Sequence, residues 1–150
     1  MRLIFAASFA CLATACMGND MPADDEAVNC ATLTADEFVV GLERLGESNT
    51  LDFTMMSGEP SPPIRGDNAW TVQIMGGTEP AVGATISVTP FMPAHQHGAG
   101  KAVKVETTAI TGQYRLSPIN LWMPGVWETT INVTSSSGND KVVFSFCIPS

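Results

Sequence analysis

The chain has 150 residues, and 7 Lys and Arg against 15 Asp and Glu leave a formal net charge of −8. That length suits one domain, and 45% hydrophobic against 15% charged residues supplies a core and excludes wholesale disorder. The acidic balance argues against a nucleic-acid binder, which needs a basic surface to displace counterions from phosphates, and against electrostatic docking on anionic lipid. With 2 His and 4 Cys, most histidine-based catalytic constellations and any Cys-rich zinc framework are excluded as well.

Residues 1–15, MRLIFAASFACLATA, place Arg2 ahead of an apolar run that ends in small residues. This pattern predicts a signal peptide. The run is shorter than the roughly 20 apolar residues a membrane-spanning helix needs. Leu12-Ala13-Thr14-Ala15-Cys16 is similar to a bacterial lipoprotein processing site. On that reading Cys16 becomes the acylated N-terminus and holds the protein on a membrane. Leu12 stands four places before Cys16 rather than three, and Ala13-Thr14-Ala15 also fits ordinary cleavage at the same bond, so both processing routes stay open. Met17 is not the aspartate that retains enteric lipoproteins at the inner membrane. The expected location is therefore the bacterial cell envelope, at the outer rather than the inner membrane.

Residues 17–29 carry Asp20, Asp24, Asp25 and Glu26 and read as a solvated acidic tether, so that 16–29 comprises the lipidated cysteine and its tether. A calcium site is the alternative for these carboxylates, but no ligand spacing supports it. Signal cleavage removes Cys11 and lipidation uses Cys16, which leaves Cys30 and Cys147 for the folded part. Exported proteins fold where disulfides persist. One bridge clasping the two ends of the domain is the simplest reading, constraining the unfolded chain by up to about 4–5 kcal/mol. A redox or metal thiol pair is the alternative, and the wide spacing does not favour it.

Residues 36–46 read two ways. Thr34-Ala35-Asp36-Glu37 resembles a capping box, and Phe38, Leu42 and Leu45 fit a helical stripe. Val39, Val40 and Gly41 oppose a helix, and a strand is preferred. A strand follows over 51–57, and 58–67 (GEPSPPIRGD) is too rich in Pro and Gly for a regular element. Residues 68–75 alternate through Trp70, Val72 and Ile74, and 84–89 through Ile86 and Val88. Strands at 102–107 (Val103, Val105), 112–117 (Tyr114, Leu116), 125–134 (Trp127, Thr129, Ile131, Val133) and 140–147 (Val142, Phe144, Phe146) complete the series. Seven or eight short strands without a long helix predict an all-β domain over 30–150. Its expected class is an immunoglobulin-like antiparallel β-sandwich, with no internal repeat and no second domain.

Both histidines fall in one stretch, Phe91-Met92-Pro93-Ala94-His95-Gln96-His97-Gly98. In an extended segment His95 and His97 project to the same side. Imidazole suits Cu(II) and a thioether favours Cu(I), so Met92, His95 and His97 form a candidate copper set. Met123, in Leu121-Trp122-Met123-Pro124-Gly125, repeats the Met-Pro pair. It becomes a fourth candidate if the two segments meet at one end of the sandwich, where Trp122 would cover the site. The same residues also allow a plain reading: methionines filling the core and histidines solvated in a Pro/Gly loop.

The order of several motifs resembles YtkA-like/FixH-like domains. They run from Asp67-Asn68-Ala69-Trp70-Thr71-Val72, through Pro80-Ala81-Val82-Gly83-Ala84 and Met92-Pro93-Ala94-His95-Gln96-His97-Gly98, to Gly112-Gln113-Tyr114 and Met123-Pro124-Gly125-Val126-Trp127-Glu128. The resemblance covers about 50–147. It implies a small extracytoplasmic β-sandwich, often in lipoproteins, with links to copper handling and oxidase assembly suggested for relatives. FixH-type relatives carry a transmembrane helix ahead of the domain, where this chain has the signal-like run.

No Gly-x-Ser-x-Gly elbow, phosphate loop or His-Glu-x-x-His helix is present, and a non-enzyme is expected. Two functions follow. One is an envelope module that holds or passes copper. The other is an adhesive or scaffolding sandwich that contacts another envelope protein and needs neither histidine.

Overall fold

The computed structural model describes residues 27–150. The expected signal peptide, Cys16 and residues 17–26 of the expected tether lie outside the described residues. Among the described residues a 3-10 turn, Cys30–Thr32, is followed by ten strands: β1 (Glu43–Leu45), β2 (Asp52–Glu59), β3 (Gly66–Gly76), β4 (Glu79–Pro80), β5 (Thr85–Met92), β6 (His97–Gly98), β7 (Lys104–Thr107), β8 (Gln113–Leu121), β9 (Gly125–Ser135) and β10 (Gly138–Ile148). The seven strands expected from alternation are β2, β3, β5, β7, β8, β9 and β10. The other three are ribbons of two or three residues that alternation is too short to reveal.

All strand pairs are antiparallel and fall into two sheets, β1-β2-β3-β8-β7 with β4 on β3, and β10-β9-β5-β6. The order β2-β3-β8-β7 facing β10-β9-β5 reproduces the two-sheet strand order of an immunoglobulin sandwich. Alternate residues enter the space between the sheets. Trp70, Val72 and Ile74 on β3, Trp127, Ile131 and Val133 on β9, and Val142, Phe144 and Phe146 on β10 are all buried. The faces read from period-2 alternation are therefore the faces the fold uses.

Residues 36–46 are neither the helix nor the full strand that the residues allow. Only Glu43–Leu45 is a strand. Before it, the chain bends through Gly41 at φ +91° and borrows bonds from β2: Gly41 N–H donates to the Met55 carbonyl and Met55 N–H to that of Leu42. Asp36 makes a parallel bridge to Phe146, and its carboxylate accepts from Ser145 N–H and pairs with Arg44. Phe38 packs edge-on against Phe146, with ring centroids 5.1 Å apart. This leading segment thus covers part of the outer edge of β10, where unpaired backbone groups would otherwise face solvent. Beside it Cys30 and Cys147 form a disulfide, with Cα atoms 5.6 Å apart across 117 residues of sequence. The irregular stretch expected at 58–67 shrinks to 60–65, because β2 and β3 extend into it.

At the far end Asp140, only 7% exposed, fastens the loop before β2 to β10. Its carboxylate accepts the N–H groups of Ser48, Thr50, Leu51 and Lys141. Gly46 lets that carboxylate lie against the backbone, since a Cβ there would run into it.

Candidate metal centre

Antiparallel pairing sends β5 and β8 toward the same end of the sandwich. The connections that leave them, residues 93–96 and 122–124, are therefore neighbours. The first is not extended. It is a tight turn between β5 and β6, in which His95 N–H donates to the Met92 carbonyl and Gln96 takes φ +54°. The Gln96 amide closes it with a 2.5 Å bond to the Pro93 carbonyl.

Across this hairpin Met92 stands directly opposite His97. Directly opposed residues share a face. Met92, 1% exposed, lies in the core, so His97 points inward as well. Its imidazole packs edge-on against the fully buried Trp127, with centroids 5.7 Å apart, and stacks on Trp122 at 4.9 Å and 23°. His97 is thus half-buried rather than solvated in a loop. His95 sits exposed on the turn, its ring centroid 5.9 Å from that of His97. The two rings are neighbours because the turn reverses the chain, not because an extended segment alternates.

Met123 arrives from the β8–β9 connection and packs partly buried against the core. Its carbonyl accepts the Trp127 indole N–H at 2.9 Å, which ties that connection to the inner wall of the site. Gly125 follows at φ +125°, and a Cβ there would lie 3.1 Å from Met92 Cε. All four candidate residues, Met92, His95, His97 and Met123, therefore belong to one end of the sandwich. Trp122, 44% exposed, lies over the His97 ring. Two contributors were not read from the residues: Trp127 as wall and Gly125 as spacer. Trp127 was visible only as one more inward position on an alternating strand, and Gly125 only as a turn residue.

The hydrogen bonding of His97 decides which nitrogen is free. Nδ1 lies 3.2 Å from the Gly98 carbonyl oxygen. A carbonyl only accepts, so this contact puts the proton on Nδ1 and, in the neutral ring, leaves a lone pair on Nε2. That Nε2 is buried and has no hydrogen-bond partner. Among the described residues three other buried side-chain atoms share this state: Arg44 Nε, Trp70 Nε1 and Thr129 Oγ1. The first two are donors only and the third is a hydroxyl, so His97 Nε2 alone offers an imidazole lone pair.

Beyond the hairpin, an exposed ion pair holds the segment that follows β6. Lys101 Nζ lies 2.6 Å from Asp67 Oδ2, and Asn120 donates to Asp67 Oδ1. The hydrogen bonds from Lys101 and then Asn120 hold the Asp67 carboxyl below the usual carboxylate range.

Residues 46–132 match the YtkA-like family, more than half of the chain, and the matched stretch contains every residue of this end named above. The chain belongs to the YtkA-like family. No curated protein and no solved structure matches it. The Cys30–Cys147 bridge lies outside the matched stretch of this YtkA-like chain, as does β10.

Among the described residues no three His, Cys, Asp or Glu side chains gather around one point. The other soft side chains at this end of the YtkA-like domain are the thioethers of Met92 and Met123. An imidazole nitrogen sits roughly 1 Å from its ring centroid and binds a first-row metal at about 2 Å, so two ligating rings have centroids roughly 5–6 Å apart. The 5.9 Å between His95 and His97 fits that range.

Proposed function

We propose that the protein is an exported, non-enzymatic module that holds copper at the Met92–His97 end of the sandwich and is fixed to a membrane through lipidated Cys16. The observation that carries the copper reading is the buried, unpartnered Nε2 of His97. An imidazole nitrogen taken from water without a replacement bond costs about 1–3 kcal/mol. A bound ion would remove that cost. The Nδ1 contact to Gly98 resembles the outer hydrogen bond that metal-ligating histidines use to fix tautomer and ring orientation. Met92, paired with His97 across the hairpin, and Met123, in the neighbouring connection, would supply soft donors.

Copper titration of the wild type and of the His95→Ala/His97→Ala variant tests this. The wild type binds one equivalent, and the variant loses at least about tenfold in affinity, since loss of the hydrogen-bond partners behind a ligand alone costs about that much. Equal affinity in the two proteins refutes the site. It would leave a scaffolding sandwich, which needs neither histidine, as the better reading. Anchoring is tested separately. Fatty-acid labelling tags the wild type and not Cys16→Ala, whereas an unlabelled mature product means ordinary cleavage after Ala15.

A further inference from the structure

We infer that this site selects Cu(I) and discriminates against Cu(II) and other divalent ions; the inference rests on the copper reading above. Every donor at this end is neutral: the imidazoles of His95 and His97, and the thioethers of Met92 and Met123. Charged candidates are turned away. Glu128 is exposed, and it alternates along β9 with the inward Trp127. Asp67 is committed to Lys101 and Asn120. Cys147 stands between the inward Phe146 and Ile148, so it lies on the outer face of its sheet, and its sulfur is bonded to Cys30. Among the described residues no free thiolate and no inward-facing carboxylate is left at this end to neutralise an incoming ion.

Ion charge then decides. The cost of moving an ion into a weakly polar environment grows with the square of its charge, so a divalent ion costs about four times as much as a monovalent one. The inner side is apolar: Met92, opposite His97, and Trp127, against its ring, are each at most 1% exposed.

Geometry acts in the same direction. Cu(II) favours a tetragonal array of nitrogen and oxygen ligands, completed by water where the protein supplies too few. Here Trp122 lies across one face of the His97 ring and Trp127 packs against it, and neither indole offers an oxygen or a free lone pair. Cu(I) accepts few ligands and prefers soft ones, and thioether sulfur is the soft donor present.

The test uses the full chain under anaerobic conditions. Cu(I) affinity is measured by competition with a chromophoric Cu(I) chelator. Cu(II) and Zn(II) affinities are measured by tryptophan fluorescence with competing chelators. Cu(I) binds at least about 100-fold more tightly than either divalent ion. For copper, a hundredfold preference raises the one-electron Cu(II)/Cu(I) potential of the bound ion by about 120 mV.

Met123→Leu, at a partly buried position, lowers Cu(I) affinity at least about tenfold and leaves Cu(II) affinity unchanged. Met92→Leu conserves volume in the core and gives a second thioether removal that folds. Cu(II) or Zn(II) binding as tight as Cu(I) overturns the selectivity, and with copper bound the copper reading survives. Unchanged Cu(I) affinity in the Met92→Leu/Met123→Leu variant also overturns the inference. Failure of both copper ions to bind overturns the inference and the copper reading together.

Discussion

Replacing Asp140 with Asn isolates one buried carboxylate. Its Oδ1 accepts from Ser48 and Lys141 N–H at 2.8 Å each, and its Oδ2 from Thr50 at 2.8 Å and Leu51 at 3.1 Å. In Asn one of these oxygens becomes an NH2 group. Two backbone N–H groups then face a donor in place of an acceptor, whichever way the amide is turned. Hydrogen bonds to a charged group contribute about 1.5–3 kcal/mol each, so the loss of two is about 3–6 kcal/mol. That is a large share of the 5–15 kcal/mol typical of a domain, and for this size it corresponds to a fall in Tm of about 10–20 °C. Acid gives an independent check. Burial pushes the Asp140 carboxyl up, but the four backbone hydrogen bonds together outweigh it and hold the group below the usual carboxylate range. A folded-state pKa below the unfolded one stabilises fully above about pH 4, and the contribution is lost as pH falls through the folded value. Asn does not titrate. Thermal melts followed by circular dichroism should therefore show a wide gap between wild type and Asp140→Asn at pH 7 that narrows on acidification. A variant within about 1 kcal/mol of wild type at pH 7, or a gap that widens in acid, refutes the reasoning.

Three further outcomes are expected. Gly125→Ala places a methyl group 3.1 Å from Met92 Cε on a backbone at φ +125°. It should lower stability by about 1–3 kcal/mol and weaken copper binding, and unchanged melts and unchanged titrations would remove Gly125 as a spacer. The Cys30→Ser/Cys147→Ser pair should lower stability by about 2–5 kcal/mol in denaturant titration, and a midpoint equal to the oxidised wild type would show that the bridge adds nothing. His97→Ala gives up the stacking on Trp122 and the edge contact to Trp127, so it should cost about 1–3 kcal/mol. His95→Ala, on the exposed turn, should cost within about 0.5 kcal/mol. Equal melting temperatures for these two variants would contradict the inward placement of His97.

Alternation was enough to determine the layers. Trp70, Val72 and Ile74, or Val142, Phe144 and Phe146, repeat every second residue, and a half-buried strand has one face to bury, so which side chains form the core follows from local pattern. The Cys30–Cys147 pairing was legible for a related reason: with residues 1–16 read as a processed leader, two cysteines were left for the folded part, at its two ends. What alternation does not carry is anything that depends on a partner far along the chain. The segment 36–46 is shaped by bonds to β2 and β10, so its own residues, which allowed a helix and favoured a strand, could not show that only Glu43–Leu45 pairs as one. Asp140 looks like one more acidic residue until the loop at 48–51 brings it backbone N–H groups from about 90 positions earlier. The histidine pair shows both sides. Met92, His95, His97 and Met123 could be picked out because copper chemistry calls for those side chains. Which imidazole nitrogen is free, and that His97 faces Trp127 rather than water, depended on the β5–β6 register and on the packing of the β8–β9 connection. Side-chain chemistry is a property of each residue, whereas burial and register exist only once the two sheets have closed over one another.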